Sequence, residues 1–252
     1  MQGCGVVAVK RFFADLHLRL NVKDAAATLR VLSKAAELGY GLVGVSLAAE
    51  TRADEISRLR GVCGEVGLDF VSRVDLRPRG QDDLMRQLRR LRRRFEVVCV
   101  SCESKAVARQ AAKDRRVDLL SFPLLDFRRR FFDRAEAALA CSGLAGLEVD
   151  VKPLLVLEGP ARVRLLSWLR REVAVARSFG VPVVVSSGVS AELLLRKPRE
   201  MVALGFLFGL DEVSGLDAVS QSPVALVTRN REKLSGGFVA PGIRVVKEGK
   251  DC

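Results

Sequence analysis

Between Phe12 and Ser186 the chain switches seven times between a short apolar run and a longer stretch of helical periodicity. The runs are Phe12–Leu16, Gly41–Ser46, Asp69–Val74, Phe95–Val100, Val117–Ser121, Gly146–Asp150 and Pro182–Ser186. They are brief, rich in Val and mostly unbroken by polar residues, as strands are when both faces of a parallel sheet are covered. Parallel neighbours need a crossover, and the intervening segments supply helices of the right length. These span Asp24–Leu38, Ala53–Glu65, Asp82–Arg94, Ser104–Asp114, Asp133–Ser142 and Ala161–Phe179. In the third, Leu84, Leu88, Leu91 and Phe95 recur at helical spacing. The first run is not followed by the glycine-rich turn of a dinucleotide-binding sheet. The pattern therefore predicts an α/β fold, a TIM-type (β/α) barrel with about seven clear βα units.

The eighth unit is irregular. After Gly188 the pattern turns helical, over Pro198–Leu204 and again over Leu216–Leu234, and only Phe206–Gly209 offers a stand-in for the last strand. No composition break divides the chain, so residues 1–234 form one expected domain and 235–252 a loose C-terminal tail.

Charge narrows the partner. Lys and Arg number 42 against 30 Asp and Glu, a net +12, and 32 of the cations are Arg. Arg pairs bidentately with phosphate and stacks on bases, so nucleic acid leads the candidate partners. Thermal or genomic adaptation can also enrich Arg, though ion-pair networks need both signs in similar number. Arg86, Arg89, Arg90, Arg92, Arg93 and Arg94 crowd one helix; Arg128, Arg129 and Arg130 lie between phenylalanines; Arg162, Arg164, Arg170, Arg171 and Arg177 punctuate another helix. Such runs are often only solvated faces, but several with few balancing acids favour a phosphate footprint. The six cysteines are scattered in apolar surroundings and read as reduced core residues. The longest apolar run, Met201–Leu210, is too short for a bilayer, and no secretory signal is visible. The expectation is a cytoplasmic protein without a membrane partner.

A barrel keeps its chemistry at the carboxyl ends of its strands. Here that rim holds Asp15, His17, Ser46, Arg73, Asp75, Ser101, Glu103, Ser121, Asp150, Lys152, Ser186, Ser187 and Gly188. Asp15-Leu16-His17 is similar to the first metal motif of PHP-type phosphoesterases, but His17 is the chain's one histidine and cannot supply such a shell, so no metal site is expected. Lys152 stands where a Schiff-base lysine would, yet no substrate-phosphate loop accompanies it. Cys99 and Cys102 have a metal-ligand spacing but would point to opposite faces of a strand. Ser186-Ser187-Gly188 can be read as a phosphate-binding turn or as a capped loop.

In order along the chain, Asp15-Leu16-His17, Val117–Pro123, Phe132-Asp133, Gly146–Asp150, and Val185–Gly188 followed by Arg196-Lys197-Pro198 resemble ribonuclease P protein component 3, the archaeal-type relative of the eukaryotic thirty-kilodalton subunit, from about Phe12 to Leu234. The resemblance implies a PHP-like TIM barrel without the metal site. It implies a non-catalytic, RNA-binding subunit of this tRNA-processing endonuclease, partnered with ribonuclease P RNA and protein component 2, two copies of each protein per assembly. Precursor tRNA would be met through the holoenzyme. Cleavage at the 5′ end would be carried out by the RNA with divalent metal, and the protein would bind no cofactor itself. Within that reading Arg73, Lys105, Arg109, Lys152, Arg177, Arg196 and Lys197 are candidates for RNA or partner contact, chosen for basic character near strand ends or helix starts. The alternatives are a stand-alone barrel enzyme, either a PHP-like phosphoesterase or a Schiff-base lyase, and a scaffold that binds protein only.

Overall fold

The computed structural model describes residues 11–123, 130–240 and 243–244. Seven strands alternate with helices: β1 (Phe13–Leu18), α1 (Ala25–Glu37), β2 (Tyr40–Leu47), α2 (Ala53–Glu65), β3 (Asp69–Leu76), α3 (Gln81–Leu91), β4 (Val97–Ser101), α4 (Lys105–Lys113), β5 (Leu119–Ser121), α5 (Arg134–Gly143), β6 (Gly146–Asp150), α6 (Lys152–Val156), α7 (Gly159–Ser178) and β7 (Val183–Ser186). Then come α8 (Pro198–Phe206), α9 (Glu212–Ala218), α10 (Gln221–Leu234) and an antiparallel pair, β8 (Phe238–Ala240) with β9 (Ile243–Arg244). Helix starts follow local chemistry. Asp24, Ser104 and Asp133 each accept a backbone N–H of the first turn of α1, α4 and α5.

All seven strands are parallel and pair in chain order. Two apolar layers result. The outer one lies between strands and helices and includes Val43, Val45, Phe70, Val98, Val100 and Leu120. The inner one fills the barrel with Ala14, Leu16, Leu42, Val71, Val97, Cys99, Leu119 and Val184.

Among the described residues the ring closes without an eighth barrel strand. Near the carboxyl ends β7 meets β1 through a bridge between Leu18 and Val189, with Gly188 N–H donating to His17 O (3.0 Å) and Arg19 N–H to Val189 O (2.8 Å). Lower down, Ala14 N–H donates to Val219 O (2.9 Å), in the corner between α9 and α10. Helix α10 is the floor. Its Leu226 and Val227 join the inner apolar layer. Its Asn230 Nδ2 donates to Glu96 O (2.8 Å), and Arg231 pairs with Asp69 and Glu96, all at the amino ends of β3 and β4.

Four expectations change. Phe206–Gly209 is not a strand: Phe206 ends α8, and the residues after it turn into α9. The expected helix Leu216–Leu234 is two helices, parted where Val219 receives Ala14. Within the expected tail, Phe238–Ala240 pairs antiparallel with Ile243–Arg244. The first strand runs on to Leu18, past its expected end at Leu16, so His17 lies within it. Among the described residues no helix is long and apolar enough to cross a membrane.

Leu226→Ala should cost about 2–3 kcal/mol in urea unfolding, because it empties part of the barrel floor. Phe206→Ser, at a half-exposed helix end, should stay within about 0.5 kcal/mol of the parent. The reverse ranking would show that Phe206 and not α10 closes the barrel.

Candidate functional site

Strand alternation places the polar residues. On β3, Val71 faces the barrel interior, so Arg73 and Asp75 follow it on the same face. The same step carries Val97 to Cys99 on β4, Val184 to Ser186 on β7, and Glu148 to Asp150 on β6. On β1 the pairing is irregular between Asp15 and Leu18, and His17 meets Asp150 across the interior. The result is a polar layer at the carboxyl mouth, above the apolar one.

Arg73 is its centre, with a side chain that is 0% exposed. All five of its N–H donors are used. Nε and Nη2 reach Asp75 Oδ1 (2.9 and 2.7 Å), Nη1 and Nη2 reach the two Glu148 oxygens (2.5 and 2.6 Å), and Nη1 also donates to Leu16 O (3.0 Å). Glu148 is equally saturated, accepting also from Ser186 Oγ (2.8 Å) and the Cys99 thiol (3.5 Å). Asp75 further accepts from Ser46 Oγ.

His17 Nδ1 lies 2.8 Å from Asp150 Oδ1, and its Nε2 lies 3.4 Å from Asp75 Oδ2 and 2.9 Å from Arg19 Nε. Burial and the Arg73 charge push its pKa down, but Asp150 and Glu148 outweigh them and raise it to about 9. As placed, Nε2 accepts Arg19 Nε–H; protonation turns Nε2 into a donor toward Asp75 and breaks that bond, leaving Arg19 with Asp150 Oδ2 (3.6 Å). Burial opposes ionisation of Asp75, but Arg73 holds its carboxyl well below the usual range. Asp15 behaves in the opposite way. Burial raises its pKa, its Oδ1 accepts from Ser187 N–H (3.0 Å) and His17 N–H (3.1 Å), and its buried Oδ2 has no hydrogen-bond partner among the described residues. With His17 protonated, three cations (Arg73, His17, Arg19) balance three anions (Asp75, Glu148, Asp150).

His17, Glu148 and Asp150 bring possible ligand atoms within 4.8 Å of one another. They do not fit a divalent ion as arranged, because Arg73 already takes both Glu148 oxygens and His17 Nδ1 is committed to Asp150. A guanidinium stands where a cation would be held.

Two expectations for contact residues are corrected here. Arg73 is sealed inside the barrel and presents nothing to RNA or a partner. The Ser186–Gly188 turn is buried and its groups are consumed: Ser186 Oγ by Glu148, Ser187 N–H by Asp15, Gly188 N–H by His17 O. Gly188 has φ +66°, and a Cβ there would meet the Asp150 carboxylate at 2.8 Å, so the turn serves internal packing.

The other candidates scatter. Lys105 and Arg109, on α4 at the mouth rim, face Asp133 (3.7 Å) and Glu136 (3.4 Å). Lys152 lines a mouth cavity of about 210 Å³ with Arg19 and Asp150. Arg196 holds its own loop through Leu193 O and Leu195 O, and Lys197 is exposed ahead of α8. Arg177 sits at the opposite end of the barrel, tied to Asp211 (2.6 Å) and Gly209 O. Of the second Arg cluster, Arg128 and Arg129 lie outside the described residues, and Arg130 is turned inward onto Glu172. Cys99 faces the barrel interior and Cys102 the outer layer, as strand geometry requires. Sequence reasoning missed Glu148 as a partner for Arg73. The signal was available in the shared parity of Arg73 with Val71 and of Glu148 with Asp150.

Arg73→Met should destabilise the fold by about 3–5 kcal/mol, since Glu148 is left buried and unpaired. Adding Glu148→Leu should recover most of that loss in the same denaturant titration. The His17 pKa is raised on folding, so its contribution is complete below about pH 6.5 and lost as pH rises through about 9. The stability gap between parent and His17→Gln should therefore shrink between pH 6.5 and pH 10 by on the order of 3 kcal/mol. A gap independent of pH would show that His17 is neutral when folded.

Residues 12–235 match the family described as RNase P subunit p30. Ribonuclease P protein component 3 of Methanosarcina mazei is 31% identical over 232 residues, covering 91% of this chain and 94% of that one. The Haloarcula marismortui protein of the same name is 29% identical, covering 84% and 78%. Among solved structures, a chain of archaeal ribonuclease P with mature tRNA shares the fold, at a TM-score of 0.80, 20% identity and coverage of 94% and 100%. Aspergillus niger ochratoxinase shares it more loosely, at a TM-score of 0.57, 11% identity and coverage of 86% and 71%. With the match running through all seven strands and the floor helix, the chain belongs to the RNase P subunit p30 family.

Proposed function

We propose that the chain is an RNA-binding, non-catalytic protein subunit of ribonuclease P, acting in the cytoplasm beside protein component 2 and supporting 5′ maturation of precursor tRNA. In this reading the RNA, with divalent metal ions, performs the cleavage, and the protein holds no cofactor. The observation that carries the non-catalytic part is Arg73. At the place where a barrel enzyme keeps free acids, bases or a metal, this chain keeps a guanidinium with every donor satisfied. A group locked in that way cannot exchange partners during a reaction without a large desolvation cost. The net +12 and the relatives' shared name support the RNA part.

Reconstitution tests it. Ribonuclease P RNA with its other protein subunits should cleave precursor tRNA several-fold faster when the chain is added. Folded His17→Gln and Ser186→Ala variants should support cleavage within about twofold of the parent, since no step of the reaction passes through the mouth. Loss of cleavage by a folded His17→Gln protein would return the chemistry to the barrel and overturn the proposal.

A further inference from the structure

The two ends of the barrel differ in charge for a structural reason. Helices α1 to α5 and α7 all run antiparallel to the strands, so their N-termini gather at the mouth and their C-termini at the floor. Side chains follow the helix dipole. First turns carry Asp54, Glu55, Asp82, Asp83 and Glu136, while last turns carry Lys34, Arg89, Arg90, Lys113 and Arg177. Cations at the mouth are consequently met by acids, as Lys105 is by Asp133 and Arg52 by Asp54. At the floor Arg231 and Arg116 are met likewise, by Asp69 with Glu96 and by Asp114, but the group around Asp118, beneath α3, α4 and α10, carries more cations than acids.

There Asp118 is the focus. Its side chain is 0% exposed, and it accepts Val98 N–H (2.8 Å), Arg92 Nη1 (2.7 Å) and Arg229 Nη2 (3.1 Å). Lys233 follows Arg229 by one helical turn on α10, and Arg115 stands just beyond the end of α4. Burial and the charges of Arg229, Arg92 and Arg115 lower the Lys233 pKa, against the pull of Asp118. Two guanidinium groups therefore share one carboxylate, with the charges of Lys233 and Arg115 beside them, and next to them Arg93 is exposed and has no hydrogen-bond or ion-pair partner among the described residues. Crowding of like charge destabilises a free protein. It is relieved when an anion of high charge density is bound.

We propose that this floor surface, centred on Arg92, Arg115, Arg229 and Lys233, is where the chain takes the phosphate backbone of RNA. The inference rests on the RNA-binding reading given above and names its surface. Arg92 and Arg229, anchored to Asp118, set the geometry; Arg93, Arg115 and Lys233 supply unspent charge. A sugar-phosphate strand crossing from the end of α3 to α10 meets all of them. Contacts of this kind position RNA without reading its sequence.

The test uses the full chain and fluorescently labelled, transcribed ribonuclease P RNA. An R93Q/R115Q/K233Q triple variant leaves the Asp118 anchors in place; a matched K105Q/K152Q/K197Q variant alters the mouth. The floor triple should weaken binding tenfold or more at moderate salt and flatten the log–log salt slope by about 2–3, while the mouth triple stays within twofold. Thermal unfolding of the floor triple should be unchanged or raised, because the removed charges repel one another; a purely structural role would lower it. Equal loss in both triples, or loss only in the mouth triple, overturns the floor assignment while leaving RNA binding intact. So does an unchanged RNA affinity in the floor triple with failure to enter the reconstituted holoenzyme, which would make the floor a protein-docking face. A parent chain that binds no RNA overturns the RNA-binding reading itself.

Discussion

The Arg73–Glu148 pair is the interaction on which the upper half of the barrel depends. Its two partners come from β3 and β6, on different sides of the ring, and the guanidinium also reaches Asp75 and the backbone of β1. A narrow parallel barrel has little room at its mouth, and any polar group there loses water. The chain answers with a lattice in which each donor meets an acceptor and positive and negative charges match. Only Asp15 Oδ2 is left over inside it, on a carboxyl that burial pushes toward the neutral form. Such a lattice is rigid, because no member can move without stranding another.

That rigidity separates the fold from the chemistry its architecture commonly hosts. Catalytic barrels need groups whose protonation or ligation can change during a reaction. Here the histidine, the carboxylates and the serines are all spent on each other. On the reading proposed above, the architecture serves as a shaped and charged body whose surfaces matter more than its mouth, which fits a family of RNase P subunits.

Much of the fold could be read from the residues alone. Seven short, largely apolar runs at regular spacing declare parallel strands, and the helix starts expected at Asp24, Ser104 and Asp133 are capped by those side chains. The closure was not legible, since periodicity cannot tell a helix lying across the floor of a barrel from one packed on its side. Leu226 and Val227 read as an ordinary apolar face. The site was less legible still. Arg73 looked like a surface cation because arginine is seldom buried, and only the parity of its strand, together with Glu148 elsewhere in the chain, reveals the pair. Basic clusters were visible as runs. Which were spent could not be seen, because Arg130 turns inward to Glu172 and Arg92 to Asp118 through contacts remote in sequence.

The floor helix also bears on how the molecule comes to be folded. During synthesis all seven strands leave the ribosome before Gln221–Leu234 does. Without that helix Leu16, Val71, Val97 and Leu119 lack the Leu226 and Val227 side chains that join their layer, and Asp69, Glu96 and Asp118 lack the Arg229 and Arg231 guanidinium groups. Exposed apolar surface of this kind invites holding by chaperones. The same helix that finishes the core supplies Arg229 and Lys233, so the finished floor and its full positive charge arrive in a single step. Arg92, Arg93 and Arg115 come earlier in the chain, and the surface they begin is complete only with α10 in place.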